Sequence, residues 1–185
     1  MKKLIFLLLL ISFTACNSTK KQEPLPQEPV PQVSEPVQQS ADEEFNRSTA
    51  NVSISKEEFI SDKSEILRII ASLSEIMTDY NFDGWLKYID NESVQYWSNP
   101  KNLKNASKRL PYKNQALNNI NDYFRLVFVP SRKGRSVEEI RYISRDSVKA
   151  VEVRDEEDGP RDVVYYNFVK VNDKWMVKIP PLQSN

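Results

Sequence analysis

The chain has 185 residues, 28% of them charged, and its 26 basic and 26 acidic side chains cancel to a formal net charge of zero. Without a basic excess there is no electrostatic case for nucleic acid. The single cysteine rules out an intramolecular disulfide and a cysteine metal site, and the absence of histidine removes the commonest general base and metal ligand.

Met1-Lys2-Lys3 opens the chain, residues 4–13 are apolar apart from Ser12, and Thr14-Ala15 precede Cys16. A short positive region, an apolar stretch of about ten residues and small residues before a cut form the pattern of a secretory signal over residues 1–15. The stretch is too short to span a membrane, which takes roughly 20 residues. Phe13-Thr14-Ala15-Cys16 resembles the lipobox of bacterial lipoproteins, with Phe13 where Leu is commonest. The resemblance implies a diacylglycerol on the Cys16 thiol and an acyl group of the palmitate kind on its freed amine. Two or three such chains make a stable anchor where one is marginal. The expected partner of this end is a membrane of the cell envelope, with the rest of the chain outside the cytoplasm, in the periplasm or on the surface. Loss of Lys2 and Lys3 with the signal takes the net charge to about −2.

Residues 16–53 are the second zone, a lipidated Cys followed by a tether. Glu-Pro pairs at 23, 28 and 35 recur among glutamines, and five of the eleven prolines fall here. Proline fixes φ and removes a donor, so an extended, disordered segment of polyproline II character is expected.

Residues 54–185 form one domain. Ser55 and Glu58 have capping-box spacing, and Phe59, Ile66, Ile69, Ile70, Leu73, Ile76, Met77 and Tyr80 make a helical stripe. Phe82, Trp85, Leu86 and Ile89 mark a second short helix, with Gly84 inside it at a small cost. Ser93 to Trp97 reads equally as helix or strand. Asn99-Pro100 offers an N-cap and a first-turn proline for a helix through about Lys108. Ile120, Tyr123, Phe124, Val127 and Phe128 predict a further helix that ends at Pro130. The period then changes: 137–144, 147–154, 163–171 and 174–179 are rich in β-branched and aromatic residues, so four strands are expected. Asn172-Asp173 is a two-residue hairpin loop, and links this short force antiparallel pairing. Asp155-Glu156-Glu157-Asp158, beside Gly159-Pro160, reads as a solvated hairpin loop. Alternation puts Val164, Tyr166 and Phe168 on one face of the third strand and Val163, Tyr165, Val169 and Val171 on the other. A sheet apolar on both faces is one covered twice, by its helices and by a second copy or another envelope protein.

Helices first and strands last give an α+β domain, N-terminal helices on a curved four-stranded antiparallel sheet. The long helix to Tyr80, the Phe82-Asp83-Gly84-Trp85-Leu86 helix and the closing hairpin from Phe168 through Asn172-Asp173 to Trp175 resemble the nuclear transport factor 2-like superfamily, a cone of sheet wrapped around helices. That superfamily includes isomerases, dehydratases, ligand-binding domains and interaction domains, so function does not travel with the fold.

No catalytic residues are assigned, and neither cofactor nor metal is expected. The superfamily's His-dependent dehydratases are excluded here. Its Asp/Tyr chemistry needs a carboxyl in an apolar pocket beside a Tyr hydroxyl. Asp79, Asp83, Asp90 and Asp122, with Tyr80, Tyr96, Tyr142 or Tyr165, are the residues available, but these carboxyls are read as structural: Asp83 and Asp90 on the polar side of a helix and at its end, and Asp122 in the first turn of its helix, where the dipole favours it. Among the many aromatic residues, Trp85, Phe124, Phe168 and Trp175 are assigned to the core, while Tyr96, Trp97, Tyr142 and Tyr166 are candidates for a cavity lining or partner surface. Ser131-Arg132-Lys133-Gly134-Arg135 is read as a solvated basic loop. The leading function is a membrane-anchored, non-catalytic binding or assembly lipoprotein. The alternatives are a carrier or sensor of a small apolar ligand in the cone and an Asp/Tyr isomerase or hydratase.

Overall fold

The computed structural model describes residues 35–111 and 115–183. The expected signal segment, Cys16 and the expected tether through residue 34 lie outside the described residues. Ser34–Asn185 is one compact unit.

The long helix, α2 (Lys56–Thr78), starts where the capping box places it: Ser55 is the N-cap and its hydroxyl accepts from the Glu58 N–H at 3.1 Å. Its buried stripe is Phe59, Asp62, Ile66, Ile69, Leu73 and Met77. Tyr80, expected in that stripe, is exposed, because the helix has already ended. Asp79 caps it and Tyr80 takes the left-handed conformation at φ 51°. This lets the Asn81 N–H reach back to the Ile76 carbonyl at 2.9 Å in a Schellman-type closure.

Before α2 stands a helix where an extended tether was expected, α1 (Glu35–Ser48). Beyond Pro36 there is no further proline before residue 100, and Phe45 supplies an apolar contact that offsets the ordering cost. The Phe45 ring meets Phe59 edge-on at 5.5 Å, Lys63 bonds Glu44, and Arg47 bonds Glu139 at 2.8 Å. A segment that can be removed without touching the core therefore ends before Glu35.

The helices α3 (Phe82–Leu86), α4 (Asn91–Ser98) and α5 (Pro100–Ser107) follow. Gly84 is more than a tolerated penalty. A Cβ there would lie 2.8 Å from Asn81 Nδ2, the side chain that caps α3 through the Gly84 N–H. The ambiguous Ser93 to Trp97 stretch is helical because Asp90 caps it, accepting from the Ser93 N–H at 3.1 Å. Asn99 caps α5 with Pro100 in its first turn, as the spacing predicts.

The helix expected to stop at Pro130 instead runs through it. It begins as α6 (Ile120–Tyr123), widens into a π turn at Phe124–Phe128, and continues as α7 (Val129–Arg132). The wider turn accommodates the missing amide and the ring of Pro130, which a regular α-helical interior would not.

Strands β1 (Glu139–Ser144), β2 (Ser147–Glu156), β3 (Gly159–Val171) and β4 (Lys174–Lys178) form the expected antiparallel meander in the order β1-β2-β3-β4. Asn172 and Asp173 both have positive φ, 50° and 60°, as a primed two-residue hairpin requires. The acidic run is less of a loop than expected: Asp155 pairs Pro160 and Glu156 pairs Gly159, leaving only Glu157 and Asp158 in the turn. A bulge shifts the β2–β3 register at Ala150/Val151, so that Tyr166 faces Ala150 but Val164 faces Val151. The extra residue, Tyr165, inverts the alternation. Val164 therefore leaves the face of Tyr166 and Phe168 and is 41% exposed.

Ile140, Tyr142, Val148, Ala150, Tyr166, Phe168, Trp175 and Val177 bury one face of the sheet under the helices. The chain after α3 also pairs with β4: the Val177 N–H donates to the Tyr88 carbonyl at 2.7 Å and the Asp90 N–H to the Val177 carbonyl at 3.1 Å. Among the described residues no helix is long and apolar enough to cross a membrane.

Candidate functional site

One polar residue interrupts the apolar seam of α2. Asp62 follows Phe59 by three positions and precedes Ile66 by four, so the helix points its carboxylate at the sheet. Its relative exposure is 6%. Tyr142 Oη donates to it at 2.7 Å, Trp175 Nε1 at 2.9 Å, and Lys170 Nζ at 3.2 and 3.4 Å. The ammonium of Lys170 also lies 4.6 Å from the centroid of the Trp175 ring. One carboxylate thus ties α2 to β1, β3 and β4.

This is a buried Asp beside a Tyr hydroxyl, but not one of the pairs expected. Two oxygens receive four contacts from protein donors, which uses the acceptor capacity of a carboxylate. The arrangement is a structural lock. The other aspartates serve helix ends: Asp79 ends α2, Asp83 is exposed in α3, and Asp122 accepts from the Asn118 N–H at 2.8 Å. Asp90 is buried, bonded to the Ser93 hydroxyl, which in turn accepts from the Ile179 N–H at 2.8 Å. None of these four meets a tyrosine hydroxyl among the described residues.

Of the four aromatic candidates, Trp97, Tyr142 and Tyr166 are buried in the core and Tyr96 packs against it. Trp97 is buried and stacks on Tyr123 at 4.1 Å between centroids. Tyr96 is half-buried, with its hydroxyl accepting from the Leu182 N–H at 3.1 Å. Tyr142 belongs to the Asp62 lock. Tyr166 lies between Phe128 and Phe168, at 6.3 and 6.1 Å. Trp85 contacts Phe124 at 5.0 Å and Phe128 at 5.2 Å, completing a run of rings from α3 to β3. These rings pack against one another between the helices and the sheet.

Arg132, read from sequence as part of a solvated loop, is turned inward. Its guanidinium lies 4.1 Å from the Phe128 ring centroid and 5.5 Å from that of Tyr166. Nε donates to the Tyr165 carbonyl and Nη1 to the Ser131 hydroxyl, both at 2.9 Å. Asp62 and Arg132 are the polar residues that the sequence reading missed. Asp62 carries a signal in retrospect, a charge on the apolar seam; Arg132 carries one only if the helix runs through Pro130, which sets it i, i+4 from Phe128, while the tertiary fold adds Tyr166.

Three buried tyrosines make the fold sensitive to alkali. Burial, then the bond to Asp62, push the Tyr142 hydroxyl well above the ordinary tyrosine value. Burial pushes Tyr123 up to about 12 and raises Tyr166 as well. In the unfolded chain all three ionise near pH 10. Above that pH the unfolded state binds fewer protons than the folded one, so stability falls as pH rises. It is fully present below about pH 10 and declines from there through about pH 12 for Tyr123. Urea midpoints between pH 8 and 11 should show that decline, and it should be shallower in Tyr123→Phe and Tyr142→Phe. An unchanged slope in the double variant would show that these hydroxyls do not carry it.

Two of the clefts on the domain's surface differ in their electrostatics. One of about 610 Å³, where α1 ends against the sheet, is lined by Arg47 and Arg141, both already bonded to Glu139, and Arg141 also to Asp162. The other, of about 340 Å³, lies between α2, Lys87-Tyr88 and the start of β4.

No family model matches the chain, and no solved structure matches it. A protein of Treponema pallidum (strain Nichols) described as an uncharacterized lipoprotein is 28% identical over 124 residues. The match takes in 67% of this chain and 64% of that protein, so this chain spans less than two thirds of its relative's length. The likeness supports a bacterial lipoprotein.

Proposed function

We propose that this chain is an envelope lipoprotein, lipidated at Cys16, that presents a non-catalytic binding or assembly domain on a tether. The observation that carries the reading is Cys16 itself, standing after Phe13-Thr14-Ala15 and an apolar run, in a chain similar to a lipoprotein. Residues 1–15 are the signal, and the residues between Cys16 and α1 are the tether. The order of helices and strands supports a nuclear transport factor 2-like cone. Its packed rings favour binding on the surface over an apolar ligand inside. Exposed Ile143, Val164 and Val171 on the outer part of the sheet support assembly with a second copy or another envelope protein.

Cys16→Ser tests the anchor. The parent protein should sediment with membranes and take up labelled palmitate; the variant should leave the membrane fraction and lose the label. A variant that stays membrane-bound and labelled would refute lipidation at this residue.

A further inference from the structure

Arg68 and Ser72 lie one turn apart on α2, so both side chains face the same way across the 340 Å³ cleft. Lys87 comes from the segment held to β4 by the Tyr88–Val177 bond, and Lys174 begins β4 after the hairpin turn. The cleft is therefore assembled by three elements that the core already positions. Its wall contains buried Ile69 and Trp175, and Ser72 and Tyr88 add hydroxyls. Three cations stand against one carboxylate, that of Glu65.

The neighbouring cations behave differently. Lys63 on α2 is bonded to Glu44, Lys170 to Asp62, and Lys178 on β4 to Glu92. Among the described residues the side chains of Arg68, Lys87 and Lys174 form no hydrogen bond or ion pair, and all three are exposed. A single exposed cation is ordinary, but three converging on a concave, partly apolar wall focus positive potential where an anion would sit. The larger cleft beside α1 has a weaker version of this feature, because Glu139 and Asp162 neutralise its two arginines and leave Lys149 as its one cation without an ion pair among the described residues.

We infer that the cleft between α2 and β4 binds an organic anion with an apolar body, its phosphate or carboxylate among Arg68, Lys87 and Lys174 and its body against Ile69 and Trp175. This assignment rests on the reading of the domain as a binding module and names the chemistry that the module takes. The cleft volume suits a compact monoester.

The test uses the full chain in uncharged dodecyl maltoside micelles with its tryptophan indoles labelled for NMR. Hexyl phosphate should shift the Trp175 indole resonance in a saturable manner and leave those of Trp85 and Trp97 in place. Hexanol and inorganic phosphate, each carrying half of the chemistry, should bind at least about tenfold more weakly. The variant Arg68→Gln/Lys87→Gln/Lys174→Gln should weaken hexyl phosphate binding by about tenfold or more with an unchanged unfolding midpoint, since all three side chains are exposed. Doping the micelles with phosphatidylglycerol distinguishes the sources. A response to both probes, lost in the variant, places lipid headgroups among the ligands, and a response to hexyl phosphate alone limits them to soluble anions. Hexanol binding as well as hexyl phosphate, undiminished binding by the triple variant, no shift at all, or a response to phosphatidylglycerol alone would each overturn the assignment. Cys16→Ser micellar protein should bind hexyl phosphate unchanged, so failure of the anchor and failure of the cleft are separate results.

Discussion

Asp62→Ala should lower the unfolding free energy by about 3–5 kcal/mol, a large part of the stability of a domain this size. The variant removes one small side chain but strands three donors. The Lys170 ammonium loses its counter-charge, and the Tyr142 hydroxyl and Trp175 indole lose their acceptor in a buried place. Leaving an ion uncompensated there costs more than the pair contributes when intact, which sets the range. Asp62→Asn keeps an acceptor for one or two donors and should cost less than the alanine. Tyr142→Phe removes one donor together with its need and should cost about 1 kcal/mol. Urea unfolding of the three variants provides the check. If Asp62→Ala costs no more than Tyr142→Phe, the carboxylate is not the tie between α2 and the sheet.

Trp85→Ala should cost about 3–5 kcal/mol, the usual range for emptying a large aromatic site in a packed core. Trp85 is fully buried against Phe82, Phe124 and Phe128, so the hole would lie where α3 meets the helical segment from Ile120 to Arg132. Trp85→Phe separates packing from polarity. The indole N–H of Trp85 is buried without a hydrogen-bond partner among the described residues. Losing that group relieves a desolvation cost of about 1–3 kcal/mol, which offsets much of the lost volume. The phenylalanine variant should therefore lie within about 1.5 kcal/mol of the parent. Equal losses for phenylalanine and alanine would mean that the N–H has an acceptor after all, such as an ordered water. Trp97, whose N–H is likewise unpartnered, should follow the same pattern against Tyr123.

The roles of Asp62 and Trp85 show what could be read before the fold was known. Trp85 sits at a helical spacing with Phe82 and Ile89, and period alone assigns it to the core. Asp62 lies between Phe59 and Ile66 on the same face, yet a carboxylate on a seam is interpretable only when its donors are known. Those donors are 80 to 113 positions away in sequence.

Local chemistry was legible wherever the forces are local. The Ser55 and Asn99 caps, the positive-φ turn at Asn172-Asp173 and the four strands all depend on residues within a few positions of one another. Tertiary structure decided the rest. The packing of Phe45 on Phe59 turned part of an expected tether into a helix, and the bulge at Tyr165 reversed the face of Val164. Tyr142 and Tyr166 passed from candidate lining to core because their partners lie on other elements. The cleft of Arg68, Lys87 and Lys174 has no sequence pattern, since it joins residues from a helix, a connecting segment and a strand. Its physical reason is long range: the core that burial of apolar surface assembles brings these cations together, and no spacing along the chain records that.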